Sequence, residues 1–68
     1  MHVLVNGEPT DLPAGATVAS AVAALELPAS GRGVAVALDA EVVPHGAWAA
    51  TSISDGARLE VVRAIQGG

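Results

Sequence analysis

Apolar residues along this chain come in short blocks separated by turn residues, and the spacing inside each block predicts an element. His2-Val3-Leu4-Val5 runs into Asn6-Gly7, and Glu8 to Leu12 follows. Both central residues of a type I′ turn need positive φ, which Asn-Gly supplies, so residues 2–12 read as a β-hairpin. Pro9 has no N–H to give to a ladder, which puts the second strand at an edge or Pro9 at its start. After the break at Pro13-Ala14-Gly15-Ala16, Thr17 fits a helix N-cap. Val18, Val22 and Leu25 then stand at i, i+4 and i+7, one face of a helix, which Pro28 should end near Glu26. Gly31-Arg32-Gly33 reads as a loop. Val34-Ala35-Val36-Ala37-Leu38 alternates large and small apolar residues, as in a strand with bulk on one face. Asp39-Ala40 turns the chain, Glu41-Val42-Val43 makes a short strand and Pro44 stops it. Residues His45 to Ser54 show no period and are expected to be irregular, with Trp48 among them. Ser54-Asp55-Gly56 is a turn. Arg58 to Arg63 is the last strand, with Leu59 and Val61 on one face and Glu60 and Val62 on the other.

The order is hairpin, helix, two short strands, a loop carrying the one aromatic of any size, and a final strand. Neither a sheet nor a helix can bury its apolar side alone. The expected class is therefore α+β, one main helix packed on one face of a mixed sheet of four to five strands. On the far face of the last strand, Val62 has two readings: neighbours cover it, or a partner docks there with Glu60 beside it.

Composition narrows the chemistry. The chain has 68 residues, which is one domain, and no cysteine, so it has neither disulfides nor a thiol nucleophile. Half of it is apolar (51%), so one compact core is attainable and a disordered chain is not expected. A net charge of −4 disfavours nucleic-acid backbones and anionic membranes. No basic leader and no spanning apolar run is visible, which makes the cytoplasm the expected location. His2 and His45 are far apart and lack partners at ligand spacing, so no metal site is expected. Asp11, Asp39, Glu41 and Asp55 fall at turns or strand starts and read as solvated turn residues. Trp48 reads as a packing residue under its loop. No nucleophile, base and orienting group can be assembled, so the chain does not read as a freestanding enzyme.

The chain closes on Ala64-Ile65-Gln66-Gly67-Gly68. Glycine lacks a Cβ, so another surface can approach its backbone closely. A final Gly-Gly is a thin arm ending in an unhindered carboxylate, suited to a narrow channel on another protein. A frayed terminus is the plainer reading.

Taken in order, Val5-Asn6-Gly7-Glu8, Gly15-Ala16-Thr17-Val18, Val34 to Leu38, Glu41-Val42-Val43-Pro44, Trp48-Ala49-Ala50-Thr51, Asp55-Gly56 and Val61 to Gly68 form a series that resembles the sulfur carriers of thiamine biosynthesis. This is the ThiS family, small ubiquitin-like proteins ending in Gly-Gly. The resemblance implies a ubiquitin-like β-grasp fold, with the first and last strands side by side at the centre of the sheet. It implies a β-grasp domain over residues 1–64 and a tail over 65–68.

It also implies a protein co-substrate that is not itself an enzyme. A partner adenylating enzyme of the E1-like, ThiF type uses ATP to convert the Gly68 carboxylate to an acyl-adenylate. A sulfur donor such as a cysteine desulfurase then leaves a thiocarboxylate (1-thioglycine) on Gly68, and a thiazole synthase of the ThiG type takes that sulfur into the thiazole of thiamine. Ile65, Gln66 and Gly67 would thread into the partner, and Glu60 and Val62 are candidates for a docking surface. No cofactor, metal, nucleic acid or membrane is expected to be bound. Two alternatives stay open: a carrier for molybdopterin or another pathway, and a protein of another class, either a conjugated ubiquitin-like modifier or a passive β-grasp interaction domain. The chain departs from the family at Asp39-Ala40, where Asn-Gly is frequent, at Ala57, where an acid is common, and near His45, where a basic residue is usual.

Overall fold

The structure is a computed structural model that describes residues 1–25 and 33–63. Glu26, most of the loop around Arg32, the domain boundary after residue 64, and Ile65, Gln66, Gly67 and Gly68 lie outside the described residues; the helix expected to end near Glu26 ends within them, at Ala24.

The elements are β1 (His2–Val5), β2 (Glu8–Asp11), α1 (Val18–Ala24), β3 (Val34–Leu38), β4 (Glu41–Val43), a 3-10 helix (His45–Ala50) and β5 (Arg58–Arg63). They form one five-stranded sheet in the order β2-β1-β5-β3-β4. β1 runs parallel to β5, and every other neighbouring pair is antiparallel. This is the β-grasp arrangement, with β1 and β5 adjacent and β5 at the centre. β2 is an edge strand, as Pro9 requires.

Two tight turns set the register. Asn6 and Gly7 have φ of 51° and 82°, the double positive φ of a type I′ turn, and Val5 pairs with Glu8. Asp39 and Ala40 repeat this between Leu38 and Glu41, with φ of 50° and 70°. Ala40 pays a steric cost there that glycine would avoid.

Thr17 caps α1 through a reciprocal pair. Its hydroxyl accepts from the Ser20 N–H (3.2 Å), and the Ser20 hydroxyl oxygen accepts from the Thr17 N–H (2.8 Å). The helix buries Val18, Ala21 and Val22. The expected third face residue, Leu25, is only half-buried, because the helix ends at Ala24 and Leu25 is its C-cap. Ala21 takes its place against the core.

Residues His45–Ala50 are not irregular as expected: they form a 3-10 helix opening directly after Pro44. Trp48 sits in it, 5% exposed, and its indole N–H donates to the Val43 carbonyl at 3.0 Å. The packing reading of Trp48 therefore holds, with its polar edge satisfied. The His45 ring meets it edge to face, at a centroid distance of 4.5 Å.

The core lies between the sheet and α1. Val3, Val36, Val43 and Leu59 come from the strands, and Val18, Ala21 and Val22 from the helix, with Leu12, Trp48 and Ile53 closing the ends. Full burial of each Val or Leu side chain contributes about 1.5–3 kcal/mol. Among the described residues no helix is long and apolar enough to cross a membrane.

Candidate functional site: the outer sheet face and the last strand

Side chains on a strand alternate between faces, so the residues that fill the core dictate which residues are left on the other side. On β3, Val34, Val36 and Leu38 turn toward α1, which leaves Ala35 and Ala37 outside. On β5, Leu59 and Val61 turn in, leaving Arg58, Glu60 and Val62 outside. Cross-strand register then places Ala35 opposite Val62, and Ala37 between Glu60 and Val42. The result is a groove of about 180 Å³ with small alanines as its floor, Val42 and Val62 as its apolar sides and Glu60 at one end.

Val42 and Val62 are 72% and 62% exposed, the large hydrophobic residues left most open among those described. The first reading of Val62, coverage by neighbours, is therefore wrong for this structure: β3 contributes only Ala35 opposite it, too small to cover it. Glu60 and Val62 do share one face, as expected. Val42 belongs with them, and the sequence did not single it out. The signal available was the two-residue turn at Asp39-Ala40, which puts Val42 opposite the outward Ala37.

The acidic turn residues have a second role that their reading as solvated residues missed. Asp55 accepts from the His2 N–H at 2.7 Å, just ahead of the β1–β5 ladder. Asp39 accepts from the Arg58 N–H at 2.9 Å while its own N–H donates to the Arg58 carbonyl at 2.8 Å. Both remain exposed, yet Asp55 ties the turn before β5 to β1, and Asp39 ties the start of β5 to the turn after β3. Asn6 does the same further along: its side-chain oxygen accepts from the Val61 N–H (2.8 Å) and its side-chain N–H donates to the Val61 carbonyl (3.1 Å).

Among the described residues no group of three His, Cys, Asp or Glu side chains could hold a metal. His2 lies 3.8 Å from Asp11 across the first hairpin, and His45 is occupied with Trp48. What the geometry offers is a small packed body with an apolar groove on its open face; in the sequence, the five residues ending in Gly-Gly follow Arg63.

The fold defines a ubiquitin-like β-grasp protein, and its outer sheet face carries an exposed apolar groove. A model of the ThiS family matches residues 3–68, and the chain belongs to that family. The crystal structure of the thiamine biosynthesis protein ThiS from Geobacter metallireducens is similar at 31% identity and a TM-score of 0.82, with all of both chains covered. The solution structure of that thiamine biosynthesis protein gives a TM-score of 0.83 at 31% identity, covering all of this chain and 88% of the other. A thiazole synthase from Paramagnetospirillum magneticum is 37% identical over 68 residues, all of this chain but only 20% of that protein's length.

Proposed function

We propose that this protein is a sulfur carrier for thiamine biosynthesis and that Gly68 carries the sulfur. The observation that supports this most is the family match over residues 3–68, which takes in the Gly67-Gly68 end as well as the folded body. A carboxylate is a poor acyl electrophile. In adenylation by a partner of the ThiF type, a carboxylate oxygen attacks the α-phosphorus of ATP and pyrophosphate departs, so the acyl carbon carries AMP, a good leaving group. The terminal sulfur of a persulfide, supplied through a cysteine desulfurase, attacks the acyl carbon and AMP departs. Cleavage of the remaining S–S bond by a thiol leaves a thiocarboxylate, 1-thioglycine, on Gly68.

Residues 1–64 serve as the handle and 65–68 as the arm. Gly67 provides clearance beside the reacting residue, and Ile65 and Gln66 are the segment a partner grips. Glu60 and Val62, with Val42, form the surface that partners read. The protein is in this scheme a co-substrate: ATP is bound by the partner, and the chain itself binds no cofactor.

The thiazole synthase from Paramagnetospirillum magneticum supports the choice of acceptor, because a segment 37% identical to this chain is there part of a protein of that name. This favours thiazole synthase over a molybdopterin pathway or conjugation to target proteins. The test is transfer. With isotopically labelled sulfur on the carrier, a thiazole synthase and its remaining substrates, label is expected in the thiazole product. Label that stays on the carrier with a synthase active on another carrier, or that passes only to a molybdopterin synthase, rejects the thiamine assignment.

A further inference from the structure

We propose that the Asn6 side chain is a positioning residue for the C-terminal arm: it stands in for the strand partner that β5 lacks beyond Leu59. The proposal rests on the carrier reading above, and it adds a residue of the first hairpin to the machinery that aims the last five residues.

β1 pairs with β5 only at Leu4↔Arg58 and Val5↔Leu59. The last backbone bond of that ladder runs from the Asn6 N–H to the Leu59 carbonyl, at 2.9 Å. The chain then reverses through Asn6-Gly7 and leaves β5. The peptide groups of Val61 on that side thus face a place where the neighbouring strand has ended. Asn6 fills it with its carboxamide, which accepts from the Val61 N–H at 2.8 Å and donates to the Val61 carbonyl at 3.1 Å. One donor and one acceptor in a planar amide reproduce what a backbone peptide would have offered.

On its other side β5 is paired with β3 all the way to Val34↔Arg63. Among the described residues, Asn6 is thus what holds β5 at Val61 on the side away from β3.

The turn alone does not require this residue. Its positive φ of 51° could equally be met by glycine or aspartate. Glycine offers Val61 nothing and an aspartate carboxylate only accepts, so it is the pair of bonds to Val61 that selects the carboxamide. Val61 stands seven residues before Gly68. At about 3.3 Å per residue, an arm drawn out in a partner's channel reaches roughly 23 Å, so a small tilt at Val61 is magnified at the reacting carboxylate. Reacting groups tolerate little misplacement.

The experiment uses the full chain and two variants. Asn6→Gly keeps the turn and removes both bonds; Asn6→Asp keeps the bond from the Val61 N–H and removes the other. Amide exchange is measured on the free proteins, and adenylation is followed by pyrophosphate release with the ThiF-type partner, with kcat and KM determined separately well below each variant's Tm. In Asn6→Gly, exchange at Val61 should quicken about tenfold, with Val36 and Leu59 unaffected, the scale expected for losing ordinary hydrogen bonds. kcat/KM for adenylation should fall by about as much, with Asn6→Asp in between. A lower Tm with unchanged kcat/KM in the folded variants would reduce Asn6 to a structural residue and overturn the proposal, as would unaltered exchange at Val61. Failure of the unaltered chain to be adenylated would instead overturn the carrier reading, and this role with it.

Discussion

The two faces of the sheet are built from alternate residues of the same strands, yet they obey different constraints. On the inner face Val3, Val36 and Leu59 are at most 2% exposed and meet α1 through Val18 and Val22. On the outer face Ala35, Ala37, Glu60, Val42 and Val62 meet no second layer among the described residues. Inner positions are fixed by volume, because a buried side chain is touched from every direction. Outer positions lie outside that core and are free of its volume constraint. Two exposed valines around a floor of alanines make an apolar patch there, which would be buried only if something covered it.

The contrast is broken first at Leu59. It is 0% exposed on the central strand, so Leu59→Ala should cost about 3 kcal/mol in unfolding free energy, within the usual range for core truncation. For a domain of this size that is a large share of its total stability, so chemical denaturation should show a much lower midpoint. A loss below about 1 kcal/mol would mean that the inner face is far less tightly packed than the structure indicates.

The outer face predicts the opposite pattern. Val62→Asp should change stability by no more than about 0.5 kcal/mol, as surface substitutions do. It should weaken binding to the adenylating or thiazole-forming partner by about tenfold, roughly 1.4 kcal/mol, because a charge then sits where apolar contact is needed. Titration calorimetry beside a denaturation curve separates the two quantities. Unchanged affinity for both partners would remove the groove from the docking surface.

The smallest effect is expected at Ala40, at the turn joining β3 to β4. Its φ of 70° is strained for any residue with a Cβ, so Ala40→Gly should stabilise the protein by about 0.5–1 kcal/mol, after the entropy that glycine loses is deducted. Thermal denaturation reads this as a modest rise in Tm. Partner affinity should not move, since the turn is neither inner nor outer face; a change there would extend the docking surface to the end of the hairpin.

These differences also explain what could be read in advance. The first hairpin was legible because Asn6-Gly7 tolerates the positive φ that a two-residue turn needs at both positions, and the strand Val34 to Leu38 because bulk and alanine alternate. The inward face of α1 was only partly legible. Spacing selected Leu25, but whether a helix reaches its next turn depends on where it is capped. The 3-10 helix at His45–Ala50 carries no clear period, and its stability comes from a tertiary contact: Trp48 buried and bonded to Val43. Val42 and Val43 are identical in type, so only cross-strand register tells the exposed one from the buried one. Asp39 and Asp55 do look like turn residues; that they also bind the backbone of distant strands is a property of the assembled sheet.

Loading of Gly68 with sulfur is the step on which the proposed carrier role stands. Its most direct test is the intact mass of the full chain after incubation with ATP, an adenylating partner and a sulfur donor, followed by fragmentation from the C-terminus. Exchange of one oxygen for sulfur is expected, located on Gly68, with no exchange in a chain lacking that residue. An unchanged mass in the presence of a partner competent toward its own carrier, or sulfur found on any other residue, would contradict it.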